Sequence, residues 1–439
     1  MSFFKNHPLI TGTALLTFSG LISRVIGFVY RIYLSRLVGA EGMGLYQILS
    51  PVLAIAFSLT AAGYQTAISK LIAEMSAGDR KVSHSPLFAG IFITLPLSCI
   101  CTYIIYTYSD FIASFFLQEP SVAPLLKILS LSIPFSSVHS CINGYFYGIK
   151  KAGYPAAAQI IEQFTRVGCV FVLSQLSISQ GKVPDVSVAV TGLMIGEIFS
   201  FLVSAVTYLY VRRQAPAARG DSLPFKSLLA LALPLTGSRI VLNLLGSVEN
   251  VALPGQLRLY GYDNSTALSV FGVLNGMAMP FIFFPNTLTG SIAVILLPMI
   301  SEKKALQDTE GLHTVISKTL RYCFLMGAFF LIFFMFFGKF LGNSVFQEPL
   351  AGHFITTLSF ICPFLYLDTP LSGILQGLGM TGGLFFINVS AMLVQLGFLF
   401  LFVPRFGITG YLWGLLAAQI WTTGLYLLCL YRELKRSGC

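Results

Sequence analysis

LISRVIGFVYRIYLSRLVGAEGMGLYQ, Leu21–Gln47, is apolar over the length of a bilayer crossing yet carries Arg24 and Arg31. An arginine near mid-bilayer costs at least ~2.5–3.5 kcal/mol on insertion scales, so it faces a protein interior or a wet cavity. Seven residues are about two helical turns, which puts both guanidinium groups near one face, about 10 Å apart. Such a face suits an anionic headgroup.

The whole chain follows the same pattern. Of its 439 residues 55% are hydrophobic and 10% charged, which marks an integral membrane protein and leaves too little polar sequence for a separate soluble domain. The formal net charge of +10 fits basic cytoplasmic loops better than a nucleic-acid partner. Eight cysteines occur without a CxxC pair, so neither a disulfide framework nor a metal site is expected.

At about 20 apolar residues per span, twelve spans are expected: 9–36, 42–68, 86–108, 122–148, 154–177, 186–211, 226–253, 266–297, 315–341, 351–377, 382–403 and 407–431. Pro51, Pro96, Pro134, Pro234, Pro280, Pro285 and Pro363 interrupt them, and such kinks suit helices that bend around a cavity. Arg80, Lys81, Lys150, Lys151, Arg212, Arg213, Arg219, Lys226, Lys303, Lys304, Lys318, Arg321, Arg432, Lys435 and Arg436 fall on one side. That side is cytoplasmic by the positive-inside rule, and it holds both termini.

The chain repeats itself. FLQEP at Phe116–Pro120 returns as VFQEP at Val345–Pro349, with Glu119 and Glu348 229 residues apart. The same offset pairs Pro134 with Pro363, Gly144 with Gly373, Gly148 with Gly377, Gly168 with Gly397, and His139 with Asp368. A second register links Ser23-Arg24 to Ser238-Arg239. The expected architecture is all-α: about twelve transmembrane helices in two pseudosymmetric six-helix halves, 1–213 and 226–439, joined by a cytoplasmic linker at 214–225. A substrate cavity would lie between the halves.

Few charges fall inside spans. Arg24 and Arg239, one from each half, are the first candidates for a phosphate contact, because guanidinium is always charged and offers a planar, often bidentate fork. Arg31, Arg166 and Asn243 complete the substrate-binding candidates. The alternative is that the arginines pair with Glu249, Asp368 or backbone carbonyls and only hold the bundle together. Glu162 and Arg166 are spaced i,i+4 with the glutamate first, a favourable internal pair. Glu249, Glu162 and Asp368 are the ion-coupling candidates, Glu249 with Asn243 and Asn250 close by in sequence. Glu197 is a further polar contact within its span. Gly144-x-x-x-Gly148 and Gly373-x-x-x-Gly377 permit close helix approach.

No catalytic residue is expected. The chain lacks a P-loop, an H-E-x-x-H pair and a nucleophile elbow, and its longest loops run roughly a dozen residues. No cofactor is called for. Free energy would come from outside: a membrane potential, a Na+ or H+ gradient, or consumption of the product. A potential acts at ~2.3 kcal/mol per charge per 100 mV, and an inside-negative one favours outward movement of a diphosphate.

SRVIGF, then YR, SRLVGAEGMGLYQ and AISKLIAE (Ala67–Glu74) resemble the start of the stage V sporulation protein B group. That group lies within the multidrug/oligosaccharidyl-lipid/polysaccharide (MOP) exporter superfamily of flippases. SRVIGF also resembles the opening of the lipid II flippases, which carry further basic residues where this chain reads PVLAIAFSLTAAG (Pro51–Gly63). The resemblance implies a flippase of the cytoplasmic membrane acting on polyprenyl-diphosphate-linked saccharide. It further implies a peptidoglycan or polysaccharide precursor, a role in sporulation, and membrane lipid and cell-wall synthesis proteins as partners. A multidrug/cation antiporter of the same superfamily is the competing class, and it would rely on the acidic residues instead.

Overall fold

The computed structural model describes residues 8–76, 83–214 and 224–436, which are helical throughout apart from short connections. Lipid offers the backbone no hydrogen-bond partners, so a spanning segment satisfies its own, and the helix does so residue by residue. Arg80, Lys81 and Arg219 lie outside the described residues, as does most of the 214–225 linker.

Helix α1, Pro8–Ile48, breaks at Gly39, whose φ of 70° is a conformation that glycine tolerates. Helices α2 (Ser50–Phe57) and α3 (Gly63–Ser76) join through a π-helical turn at Ser58–Ala62. Next come α4 (Ser85–Thr107), α5 (Ala123–Ser130), α6 (Ile133–Gly148), α7 (Gly153–Ser179) and α8 (Val186–Gln214). The second part of the chain holds α9 (Phe225–Tyr260), α10 (Asn264–Gly272), α11 (Met279–Phe283) and α12 (Asn286–Ala305). It ends with α13 (Thr309–Leu341), α14 (Pro349–Leu358), α15 (Cys362–Gly377), α16 (Thr381–Leu401) and α17 (Ile408–Arg436).

Among the described residues 10 helical stretches are long and apolar enough to cross a membrane, or 11 with the bent pair Pro120–Ser130 and Ile133–Gly148. One of the 10, Phe18–Met75, is 58 residues long. At 1.5 Å per residue it is nearly three times the ~30 Å of a hydrocarbon core, and it breaks at Gly39. Read as two crossings, it brings the total to the twelve expected. The chain is a multi-pass membrane protein. Four of the seven prolines mark where an interrupted span resumes: Pro51, Pro134, Pro280 and Pro363 sit in the first turn of a new helix, and the two pieces that meet just before Pro134 are bent by 45°. There the missing N–H costs nothing and the fixed φ is already helical.

Two compact units emerge from the contacts. The first comprises Met1–Val38 with Ile48–Ser247 and the second Gly39–Gln47 with Val248–Cys439, as far as these are described. Division by contact therefore differs from division by repeat. Residues 226–247 pack with the first unit, where a Cβ on Gly63 would lie 2.9 Å from the Ala232 carbonyl oxygen. Gly39–Gln47 packs with the second, where Gly44 sits directly against the Leu268 carbonyl.

The repeat is present in three dimensions. Gln118 and Gln347 both adopt left-handed φ, 55° and 59°. Just after them, the Glu119 amide donates to Ala113 O at 2.9 Å and the Glu348 amide to Gly342 O at 3.3 Å. Lys150 and Gly379 are again left-handed, followed by Lys151 N to Phe146 O and Met380 N to Leu375 O, each 2.9 Å. All of these hold the 229 offset. The glycine pairs also serve matching contacts: a Cβ on Gly144 would lie 2.6 Å from Gln65 O, and one on Gly373 would lie 3.0 Å from Ala293 O. Gly144→Val is expected to destabilise the protein by about 1–3 kcal/mol through overpacking. A drop of several degrees in a thiol-dye melt, reported by buried Cys141, checks this.

Outside the spans, Asp308 caps α13. Its carboxylate accepts from Lys303 Nζ at 2.7 Å and from the Gly311 amide at 2.8 Å. The Lys303 bond, then the amide, hold the carboxyl below its ordinary value. A depressed folded value means that the cap's contribution is complete above the ordinary aspartate range and is lost as pH falls through the folded value. Hydrogen exchange in the first turn of α13 should therefore be slower in wild type than in Asp308→Ala at neutral pH, the difference closing in acid.

Candidate functional site

The densest group of polar side chains within the spans lies in the first unit, on α6, α7 and α8. Glu162 and Arg166 stand one turn apart on α7, and Arg166 Nη2 donates to Glu162 Oε1 at 2.6 Å. Arg166 also lies 3.9 Å from Glu197 Oε1 on α8, and Glu197 Oε2 is 4.0 Å from His139 Nδ1 on α6. Asn143 Nδ2 is 2.7 Å and Ser200 Oγ 3.2 Å from His139 Nε2. Gly196 brings α8 close enough for this: a Cβ there would be 3.3 Å from Arg166 Cβ and Glu162 O. The charged side chains are 11–18% exposed.

His139, Asn143, Glu162 and Glu197 line a cavity of about 260 Å³ with Gln65, Ser136, Ser140, Tyr147 and Gln159 among its walls. A second, more apolar space of about 260 Å³ adjoins it, lined by Leu53, Ala54, Thr60, Ile133 and Leu193. Phe57, Ser136 and Glu197 border both.

The second unit holds two separate carboxylate sites. Glu249 accepts hydrogen bonds from Gln395 Nε2 at 2.5 Å and from the Tyr411 hydroxyl. Asp368 accepts from Thr423 Oγ1 at 2.6 Å and from Gln419 Nε2. Among the described residues no group of three or more His, Cys, Asp or Glu is arranged to hold a metal ion.

The sequence candidates thus separate. Glu162 and Arg166 pair as their spacing predicts. Arg24, Arg31 and Arg239 are exposed, and all three belong to the first unit rather than one set to each. Asn243 does not join Glu249: it donates to Ser58 Oγ and lies 3.5 Å from Ala54 O, both in the first unit. Six residues along a helix turn the side chain to a different face. His139 and Asp368 occupy equivalent places, as the repeat predicts, but with different neighbours.

Residues that the sequence reading did not select include Asn143, Gln159, Gln395, Tyr411, Gln419 and Thr423. A signal for part of this set was present: Ser136, His139, Asn143 and Tyr147 recur every three or four residues, a polar stripe in an apolar span.

Known proteins bear on this architecture. The polysaccharide biosynthesis protein family matches residues 9–304. Stage V sporulation protein B of Bacillus subtilis is 29% identical over 97% of this chain and 82% of its own length. The lipid II flippase MurJ of the same organism is 25% identical over 72% of this chain and 62% of its own. An inward-facing multidrug resistance MATE family transporter of the MOP superfamily superposes with a TM-score of 0.76 at 16% identity, covering 95% of both chains. The chain belongs to the polysaccharide biosynthesis protein family and has the fold of the MOP superfamily transporters.

Proposed function

We propose that the chain flips a polyprenyl-diphosphate-linked saccharide, a peptidoglycan or polysaccharide precursor of the lipid II type, across the cytoplasmic membrane by alternating access. The observation that carries this reading is the exposure of Arg24, Arg31 and Arg239 on long apolar helices. Arg24 lies 16 residues after Pro8 in α1 and Arg239 lies 14 after Phe225 in α9, so each is roughly 20–25 Å along its helix, near mid-membrane. Guanidinium at that depth is costly against hydrocarbon and favourable in water beside a phosphate. The family and its lipid II flippase relative supply the substrate class.

Arg24, Arg31 and Arg239 hold the diphosphate while the polyprenyl tail stays in lipid. Arg166 serves mainly to hold Glu162 in place. A membrane potential or a Na+ or H+ gradient drives the cycle, with Glu249 and Asp368 as the coupling carboxylates. Both termini are cytoplasmic, on the side of the basic loops. Cell-wall synthesis proteins are the expected partners.

Purified protein in proteoliposomes tests this reading. Lipid II added to one leaflet should reach the other faster than in protein-free vesicles. No acceleration, together with uptake of a cationic dye that is lost in Glu249→Gln, would replace the flippase with a cation antiporter.

A further inference from the structure

We infer that the polar cavity of the first unit is a saccharide subsite, taking a neutral, hydroxyl-bearing ring. The inference rests on the flippase reading and says where the sugar goes, as distinct from the diphosphate.

Two unsatisfied atoms point to such a ligand. Asn143 is 8% exposed, and its Oδ1 is buried with no hydrogen-bond partner; the same holds for His139 Nδ1. Asn143 Nδ2 donates to His139 Nε2, so Nε2 is the acceptor and the ring proton sits on Nδ1. His139 and Asn143 both line this cavity, and between them they carry a buried idle donor, Nδ1–H, and a buried idle acceptor, Oδ1. Glu197 Oε2, 4.0 Å from Nδ1, is beyond hydrogen-bond reach. Leaving such groups unmade is costly, so a partner is to be expected.

The chemistry of the partner follows from the charges. Phosphate offers mainly acceptors and would meet two carboxylates, Glu162 and Glu197, with the nearby guanidinium engaged by Glu162 at 2.6 Å. A metal cation would meet the Nδ1–H dipole and the same guanidinium. A hydroxyl both donates and accepts, so it satisfies Oδ1 and Nδ1–H together. Gln65 and Gln159 add amides that do the same, and Phe57 adds an aromatic ring to the lining. The volume of about 260 Å³ equals roughly eight or nine waters at ~30 Å³ each, enough for one pyranose.

The second unit supplies the contrast. At the equivalent position Asp368 has both carboxylate oxygens engaged, by Thr423 and Gln419. At this place the second unit engages its polar side chain with its own neighbours, and the first leaves Oδ1 and Nδ1 without a partner.

The test uses the full chain in nanodiscs with two probes, free N-acetylglucosamine and undecaprenyl diphosphate. Saturation-transfer NMR should show millimolar N-acetylglucosamine binding to wild type. Asn143→Ala should weaken it roughly tenfold, the effect of losing one or two hydrogen bonds. Gln159→Ala, at the exposed rim where folding is not at stake, should weaken it severalfold. Arg24→Ala should retain saccharide binding and lose undecaprenyl diphosphate. Absence of N-acetylglucosamine binding in wild type, or binding unchanged in Gln159→Ala and in folded Asn143→Ala, overturns the subsite while leaving diphosphate binding and flipping intact. A wild type that neither binds undecaprenyl diphosphate nor flips lipid II fails the flippase reading, and the subsite falls with it.

Discussion

Arg24→Ala and Arg239→Ala are each expected to slow lipid II flipping roughly 10- to 150-fold in proteoliposomes, and the double variant to abolish it. A hydrogen bond to a charged partner contributes about 1.5–3 kcal/mol, and 1.4 kcal/mol is a factor of ten. Lysine at either position should recover only part of the rate, because an ammonium supplies charge without the planar fork that matches phosphate. Both side chains are exposed, so neither substitution should shift the melting temperature appreciably. This separates a substrate contact from a structural one. Unchanged flipping in both variants, with insertion intact, would make these arginines structural and move the mechanism to the carboxylates.

Arg166→Ala should act in the opposite way, on stability first. Glu162 and Glu197 both lie within 4 Å of the guanidinium, and all three side chains are less than a fifth exposed. Removing the cation leaves two carboxylates facing each other without compensation, at an expected cost of about 3–5 kcal/mol. Glu162→Gln removes one of the two negative charges, and Arg166 still has Glu197 beside it, so the loss should be clearly smaller. Thermal melts followed through thiol labelling can localise the effect, since Cys141 is buried in the first unit and Cys323 and Cys362 in the second. Earlier exposure of Cys141 with little change at the others is the expected result. A larger loss from Glu162→Gln than from Arg166→Ala would show that the guanidinium does not hold the cluster together.

The candidate site was legible where its chemistry was local. The Glu162–Arg166 pair follows from i,i+4 spacing, and the equivalence of His139 and Asp368 follows from a gapless repeat. Asn243 shows the limit. Its closeness to Glu249 in sequence suggested a shared site, but the two side chains leave α9 in different directions and find Ser58 in one case, Gln395 and Tyr411 in the other. Glu197 and His139 were visible as polar residues within spans, yet nothing along the chain placed Glu197 between His139 and Arg166. The glycine at 196 lets α8 approach α7, and that contact is what assembles the cluster.

Composition and hydropathy by themselves determined that this chain is helical and spans the membrane many times, because a backbone in lipid must satisfy its own hydrogen bonds. The repeat determined that two related sets of helices exist, and side-chain periodicity determined which charges pair within one helix. Only the tertiary structure decided which segments pack together. Close contacts at Gly63 and Gly44 carry residues 226–247 into the first unit and Gly39–Gln47 into the second, across the boundary that the repeat implies. Only the tertiary structure, too, decided which polar atoms go unsatisfied. That depends on neighbours from other helices, which spacing along one chain does not specify.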